Sequence, residues 1–282
     1  NAEHHLRGAR NKLGEVLLLP RIPRWVLTID LKDAFPSVKS GTLRDVFCKM
    51  FHPSGFSPLK NVDEEMRWKV FEELVSLAIR FTTHNGCLPQ GAPTSPYLLN
   101  LVIQDLGIIQ TLKKLCENRK YPINISFYAD DITFSAAKQK ISAEFIKQAV
   151  AIIEKGGVFK VNQKKTRLNS NRYKAHKITG VVLSEGYLSK TQYGFYRGPK
   201  LTLPQKTLKI WRGNIHRATK ALQEGRSLDQ EKGGITFEEV TGFICWIKSV
   251  YKNTILPASI KKPIERFECE LENRGKKEKK NN

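Results

Sequence analysis

Acidic side chains are scarce in this chain. Its 282 residues hold 27 Asp and Glu against 48 Lys and Arg, a formal net charge of +21 with a pI near 9.8. An excess this large and this dispersed argues against the surface of an ordinary metabolic enzyme. It points to a polyanion, because a cationic surface gains from counterion release and faster encounter. Cysteine is also thin on the ground. Cys48, Cys87, Cys116, Cys245 and Cys269 are odd in number, widely spaced and without a CxxC pair. That argues against a disulfide framework or a zinc ribbon and fits a reducing compartment, the cytoplasm. Long apolar runs are missing: the richest, Tyr97 to Leu112, is broken by Asn100, Gln104 and Asp105. It falls short of the roughly 18 residues a membrane span requires, so no membrane partner is expected. No signal-peptide pattern is present, and none of the six histidines has metal-ligand spacing. The chain starts at Asn1 rather than Met, which reads as a fragment.

What the chain does have is 40% hydrophobic residues, enough for a large core, in a pattern that alternates as α+β proteins do. Trp25 to Leu31 is apolar and β-branched and predicts a buried strand. Leu43 to Phe51 and Glu64 to Phe81 predict helices, the latter burying Val70, Phe71, Leu74, Leu77 and Ala78 on one face. Another helix should begin after Leu88–Pro96, with Ser95 as N-cap and Pro96 at its first position. Ile123–Phe127 and Ile132–Ser135 read as strands joined by a hairpin at Tyr128–Asp131, followed by a helix over Ile141–Lys155. Val158–Val161 and Ile178–Leu183 read as strands. From Pro204 the text turns helical, ending near Pro263, and the boundary between the two parts is expected between Leu188 and Pro204. From Asn273 the Lys-rich end lacks apolar partners and predicts disorder.

Three carboxylates stand out. Asp30 closes an apolar strand, an expensive place for a charge without a cation or partner. Asp130 and Asp131 adjoin at the tip of an otherwise aromatic and aliphatic hairpin. Together they form a hard-oxygen set suited to Mg²⁺, and two such ions can hold the attacking and leaving oxygens of an in-line phosphoryl displacement. Paired aspartates are also ordinary turn chemistry, and Asp30 alone would serve as a helix cap. A third segment, Leu88-Pro89-Gln90-Gly91-Ala92-Pro93-Thr94-Ser95-Pro96, changes the weighing. Gly91 permits close backbone approach, the prolines stiffen the loop, and Gln90 offers a neutral two-way hydrogen-bonding head.

On these residues the sequence resembles the reverse transcriptases. Asp30 with Phe35, LPQGAPTSPYLLN from Leu88 to Asn100, and YADD from Tyr128 to Asp131 follow that family's motifs in the family's order. The resemblance covers roughly Trp25 to Leu183. It implies a right-hand polymerase fold: an antiparallel palm sheet with packed helices, partial fingers and a helical thumb. The expected division is fingers and palm over 1–190, an RNA-contacting thumb over 191–270, and a disordered basic tail over 271–282. It also implies that Asp30, Asp130 and Asp131 hold two Mg²⁺ ions, that Phe35 is a steric gate against a 2′-hydroxyl, and that Gln90 and Gly91 line the nucleotide pocket. Tyr128 would lie near the primer terminus, and Lys165 would approach the triphosphate. Lys164 could take that role instead, and either lysine is also compatible with a solvated strand edge. The substrates would be dNTPs on an RNA template and primer, and the product DNA.

Within that family the bacterial retron enzymes fit best, through DLKD from Asp30 to Asp33, YADDIT from Tyr128 to Thr133 and KTRL from Lys165 to Leu168. Asn1, Ala2 and His5 match a retron NAxxH element, and Ile178-Thr179-Gly180 matches a VTG element with Ile for Val. This resemblance implies a structured noncoding RNA as template, RNA-linked DNA as product and a role in phage defence, with any effector protein unknown. A fingers segment whose basic residues would grip the triphosphate is not found in the given residues. Lys206, Lys209, Arg212 and Arg217 lie on a predicted helix with Trp211 and suit RNA phosphate contact and stacking, a reading compatible with a solvated amphipathic helix. Group II intron, CRISPR-associated and abortive-infection reverse transcriptases are the alternatives, as are an RNA-templated RNA polymerase and a silent RNA-binding module.

Overall fold

The structure is a computed structural model and describes residues 23–51, 63–118, 123–170, 175–191, 194–226, 228, 235–252 and 256–281. Within 184–200 and beyond 274 only the backbone is described. The NAxxH match at Asn1, Ala2 and His5 lies outside these residues. The architecture is mixed helix and antiparallel sheet, as expected. It divides into two compact units, Pro23–Lys174 and Ala175–Asn282.

The first unit is built on β1 (Trp25–Lys32). Val26, Leu27, Ile29 and Leu31 are almost wholly buried, so the strand is covered on both faces and reads as an apolar run rather than an alternation. β2 (Asn124–Tyr128) and β3 (Asp131–Ala136) form a hairpin, and β3 pairs antiparallel with β1. On the opposite edge of β1 run β4 (Lys160–Val161) and β5 (Arg167–Ser170), both antiparallel to it. The expected strand from Val158 is therefore shorter and later.

Helices pack on this sheet: α1 (Ala34–Ser37), α2 (Ser40–Met50), α3 (Glu64–Thr82), α4 (Ser95–Asp105), α5 (Ile108–Glu117) and α6 (Ala143–Glu154). Their starts follow local chemistry. The Asp63 carboxylate accepts from the Met66 amide at 2.9 Å, and the Ser142 hydroxyl accepts from the Phe145 amide at 3.1 Å. Phe145 meets Phe134 edge to face at 5.3 Å, both fully buried, which seats α6 on the sheet.

Two sequence expectations need correction here. α3 buries Phe71 and Val75, with Ala78 and Ile79 packed beside them, while Leu74 and Leu77 stand 41% and 45% exposed. Two apolar stripes lie side by side on this helix, and periodicity alone does not say which one meets the core. Ser95 is not an N-cap but the first residue of α4, after Thr94. Fully buried, it donates from its hydroxyl to the Pro89 carbonyl at 2.7 Å. A buried hydroxyl must find an acceptor, and here the acceptor lies within the preceding loop.

The second unit holds β6 (His176–Ile178), β7 (Val181–Thr191) and β8 (Gly194–Thr202) as a separate antiparallel sheet. The expected single strand Ile178–Leu183 is a hairpin corner. Thr179 and Gly180 both have positive φ, 45° and 84°, as a tight two-residue hairpin turn demands. Because these strands pair only with each other among the described residues, the division falls near Ala175 rather than between Leu188 and Pro204. Then follow α7 (Gln205–Gln223), α8 (Phe237–Val250) and α9 (Ala258–Asn281). The Leu203 amide donates to the buried Tyr251 hydroxyl at 3.1 Å, and Thr236 with Glu239 closes a capping box at the start of α8. Pro263 lies inside α9 instead of ending it, at the cost of the hydrogen bond its missing N–H would have made. The backbone stays helical to Asn281, through residues expected to be disordered. Glu and Lys are good helix formers, and the segment extends a helix already anchored by buried Ile260, Ile264 and Phe267. No helix of the described residues is long and apolar enough to cross a membrane.

Candidate active site

The end of β1 gathers the acidic groups. Asp30 lies directly across from Asp131 in the β1–β3 register. The Leu31 amide donates to the Asp130 carbonyl at 3.0 Å, which makes Asp30–Asp131 a non-hydrogen-bonded pair. In such pairs the Cα atoms approach to about 4.5 Å and side chains share one face. Asp130 is next to this pair, in the two-residue turn Ala129–Asp130. Ala129 has φ 49°, a left-handed conformation that costs an alanine roughly 1–2 kcal/mol. Strain of this kind is tolerated where surrounding pairing over-determines the turn, here the register of β2 on β3 up to Tyr128 opposite Asp131. Asp33, just past β1, is likewise left-handed at φ 46° and leads into α1.

A fourth group joins them from far along the chain. Between Leu31 and Thr28, β1 advances three residues while its partner strand advances six, from Val161 to Arg167. The surplus forms the turn Asn162–Thr166, pinned on both sides. The Asn162 amide donates to the Asp30 carbonyl at 2.8 Å, and the Asn162 carbonyl accepts from the Lys165 and Thr166 amides at 3.1 and 3.0 Å. The Val161 amide donates to the Glu154 carboxylate at 2.9 Å, tying β4 to α6. The turn delivers the Lys165 ammonium to Oδ1 of Asp30 at 3.1 Å. Lys164 has no comparable contact with the three aspartates.

The electrostatics follow from this packing. Burial, and then the neighbouring carboxylates of Asp130 and Asp30, push the Asp131 carboxyl above its ordinary range, while Lys165 pulls it down. The hydrogen bond to Asp30, and then the charge of Asp30, hold Lys165 above the ordinary lysine range. A carboxyl whose folded pKa is raised supports folding only while protonated. That contribution is complete below the unfolded value and lost as pH rises through the folded one. Ionised Asp131 therefore weighs against folding at neutral pH. Asp131→Asn is expected to raise the Tm of chelator-treated protein at pH 7, and the gain should vanish below about pH 4, where the wild-type carboxyl is itself neutral. Calorimetry across that range checks it; a variant less stable than wild type at pH 7 would contradict the charge crowding.

Excess negative charge held by oxygen donors alone suits a hard divalent cation, so the donor set fits Mg²⁺. The geometry is not a finished cage. Among the described residues no three His, Cys, Asp or Glu side chains are arranged to grip an ion together.

Phe35 lies on α1, half-buried and packed against the core from the same segment that follows Asp30. The start of the Gln90–Gly91 loop is tied to the chain just after α1, where the Leu88 amide donates to the Val38 carbonyl at 3.1 Å. Gln90 and Gly91 are exposed, and Gly91 has φ 91° with open space where a Cβ would stand. Tyr128 is 62% exposed. In the second unit, Lys206, Lys209 and Arg212 are exposed on α7, and Arg217 donates to the Asn214 side-chain carbonyl at 2.7 Å. Sequence reading missed the anchoring role of Asn162 and of the Ser95 hydroxyl. It also missed that Trp211 stacks on Phe243, with Trp246 beside it. The signal for the last was an aromatic pair at i, i+3 on α8.

A family model described as reverse transcriptase (RNA-dependent DNA polymerase) matches residues 14–195. Retron Mx162 reverse transcriptase from Myxococcus xanthus is 27% identical over 228 residues, covering 77% of this chain and 44% of its own length. Retron Ec86 reverse transcriptase from Escherichia coli is 31% identical over 161 residues, covering 57% of this chain and 43% of its own. Retron Mx65 reverse transcriptase from Myxococcus xanthus is 32% identical over 163 residues, covering 57% and 36%. The chain thus spans less than half the length of these curated relatives. A solved structure of apo telomerase from Candida tropicalis, truncated from its C-terminal domain, aligns over 56% of this chain and 33% of its own at TM-score 0.36 and 11% identity, too slight a likeness to inform the fold.

Proposed function

Because the chain belongs to the reverse transcriptase family, we propose that it serves RNA-directed DNA synthesis, adding dNTPs to a primer 3′-hydroxyl. The observation that carries this reading is the meeting of Asp30 with Asp131 across β1 and β3, with Asp130 adjoining and Lys165 in contact. In this reading the first unit supplies fingers and palm, and α7 to α9 belong to the thumb. Divalent cations held by Asp30, Asp130 and Asp131 would supply the charge that favours deprotonation of the primer hydroxyl and departure of pyrophosphate.

The chain's own residues do the rest. The primer oxygen bonds to the α-phosphorus as the bond from that phosphorus to the bridging oxygen breaks. The hydroxyl proton passes to solvent, and the pyrophosphate leaves with its electron pair. Lys165, which contacts Asp30 at 3.1 Å, would meet the leaving phosphates and donate a proton to them. Gln90 and the Gly91 backbone form one wall of the nucleotide site, where the missing side chain allows close approach. Phe35 lies beneath the sugar. The basic face of α7, with Lys206, Lys209, Arg212 and Arg217, holds RNA phosphates.

Retron-type action, copying a structured noncoding RNA into RNA-linked DNA in a prokaryotic cytoplasm as part of phage defence, is supported by the retron relatives and by DLKD, YADDIT and KTRL in this chain. Primer extension by the intact protein tests the polymerase reading. With an RNA template, Mg²⁺ and dNTPs, template-directed products are expected that disappear when EDTA is added. Failure to extend under any divalent cation would overturn it.

A further inference from the structure

A groove of about 730 Å³ opens between α7 and α8 of the second unit. Its volume lies within the roughly 300–1,000 Å³ of small-ligand sites. Trp211 and Phe243 are stacked face to face at 4.0 Å and 4°, and Trp246 meets Phe243 at 5.6 Å and 60°. Trp246 is 40% exposed. Asn214 and Arg217 line the α7 side, and Gly242 the α8 side.

Gly242 calls for a reason. It sits in the interior of α8, where glycine costs about 1 kcal/mol relative to alanine. A Cβ there would meet nothing within 4 Å. No internal packing demands the glycine, and its bare surface leaves the groove open at that point.

The surroundings say what the groove suits. Lys206, Lys209, His216 and Lys220 recur along α7 at spacings of three, seven and four, all exposed on one face. This row is roughly 21 Å long at the helical rise, enough for several phosphates of an extended strand. The acidic groups beside it are already engaged: Lys220 pairs with Glu224 at 3.8 Å, and Glu239, which also lines the groove, accepts from the Thr236 amide at 3.0 Å. Arg217 lies between the row and the groove, so a strand whose phosphates follow the lysines can turn a base past Arg217 onto the Trp246 face. Bases within a duplex are stacked on each other and offer no free π-face; unpaired ones do.

We propose that this groove binds one unpaired nucleobase of an RNA whose backbone lies along the cationic face of α7. The inference rests on RNA being the ligand, as argued under Proposed function, and adds the site and the single-stranded character of the segment it reads.

The test is binding of the intact protein to an unstructured 12-nucleotide oligoribonucleotide and to a fully paired RNA duplex of the same length, by fluorescence anisotropy over a salt series. Trp246→Ala and Gly242→Leu, the second of which favours the helix while filling the groove, are each expected to weaken the unpaired strand about tenfold, the scale of one lost base stack. The salt slope should hold, since phosphate contacts remain, and duplex affinity should stay within about twofold. Unchanged affinity for the unpaired strand in both variants, or an equal loss on the duplex, overturns the site and leaves the groove to a protein surface. Absence of RNA binding by the wild type would instead overturn the RNA reading itself.

Discussion

Asp130→Asn is expected to abolish cation-dependent DNA synthesis, by about a thousandfold or more, while leaving RNA affinity within about twofold. The magnitude follows from what the side chain is proposed to do. Removing one group that stabilises developing charge at a reacting centre typically costs about 10² to 10³ in rate, and a carboxylate that also holds the cation costs more. The substitution is gentle on the fold. Asparagine is an equally good turn residue, and the contact that closes the sheet here is a backbone one, from the Leu31 amide to the Asp130 carbonyl. The Tm should therefore not fall, and relief of the repulsion between Asp130 and Asp131 raises it if anything. Primer extension, RNA binding and thermal unfolding measured on one preparation separate the outcomes. A variant that polymerises at the wild-type rate removes Asp130 from the chemistry and with it the proposed catalytic centre.

Phe35→Ala should admit ribonucleotides, cutting the dNTP-over-rNTP preference in kcat/KM about a hundredfold, which corresponds to about 2.7 kcal/mol of lost discrimination. The ring follows the acidic strand end by five residues and is only partly buried, so part of it faces outward from the core. A 2′-hydroxyl would meet that outward face; an alanine would leave room for it. The packed part has its own cost, since large-to-small changes in a core destabilise. The ratio of two substrates on one protein is insensitive to that loss. Equal discrimination by wild type and variant would return Phe35 to a purely structural role.

Much of the proposed catalytic centre was legible before any fold was known. A strand that is apolar until Asp30, a hairpin whose only charges are adjacent aspartates, and a Pro-rich loop with Gln90 and Gly91 are local patterns, each set by a few neighbouring residues. Lys165 was legible as a motif, but its contact with Asp30 was not. That contact depends on β4 and β5 sharing one edge of β1 with surplus residues between them, and pairing register is a property of two segments, not one. The face of α3 failed for a related reason. Met66, Val70, Leu74 and Leu77 are as apolar as Phe71 and Val75, and the partner on α2 decides which stripe is covered. The unit boundary also escaped, since β7 and β8 look locally like any other strands and only their choice of partner sets them apart.

Element type, the acidic and loop motifs, the basic balance and the lack of a membrane-length apolar helix were determined by the order of residues, because each depends on interactions within a few positions. Which carboxylate faces which, which lysine reaches them, and how Trp211, Phe243 and Trp246 line one groove were decided only by tertiary structure. These contacts join residues up to 135 positions apart. The free energy that selects among such pairings comes from burying whole faces together, which no short window of sequence contains.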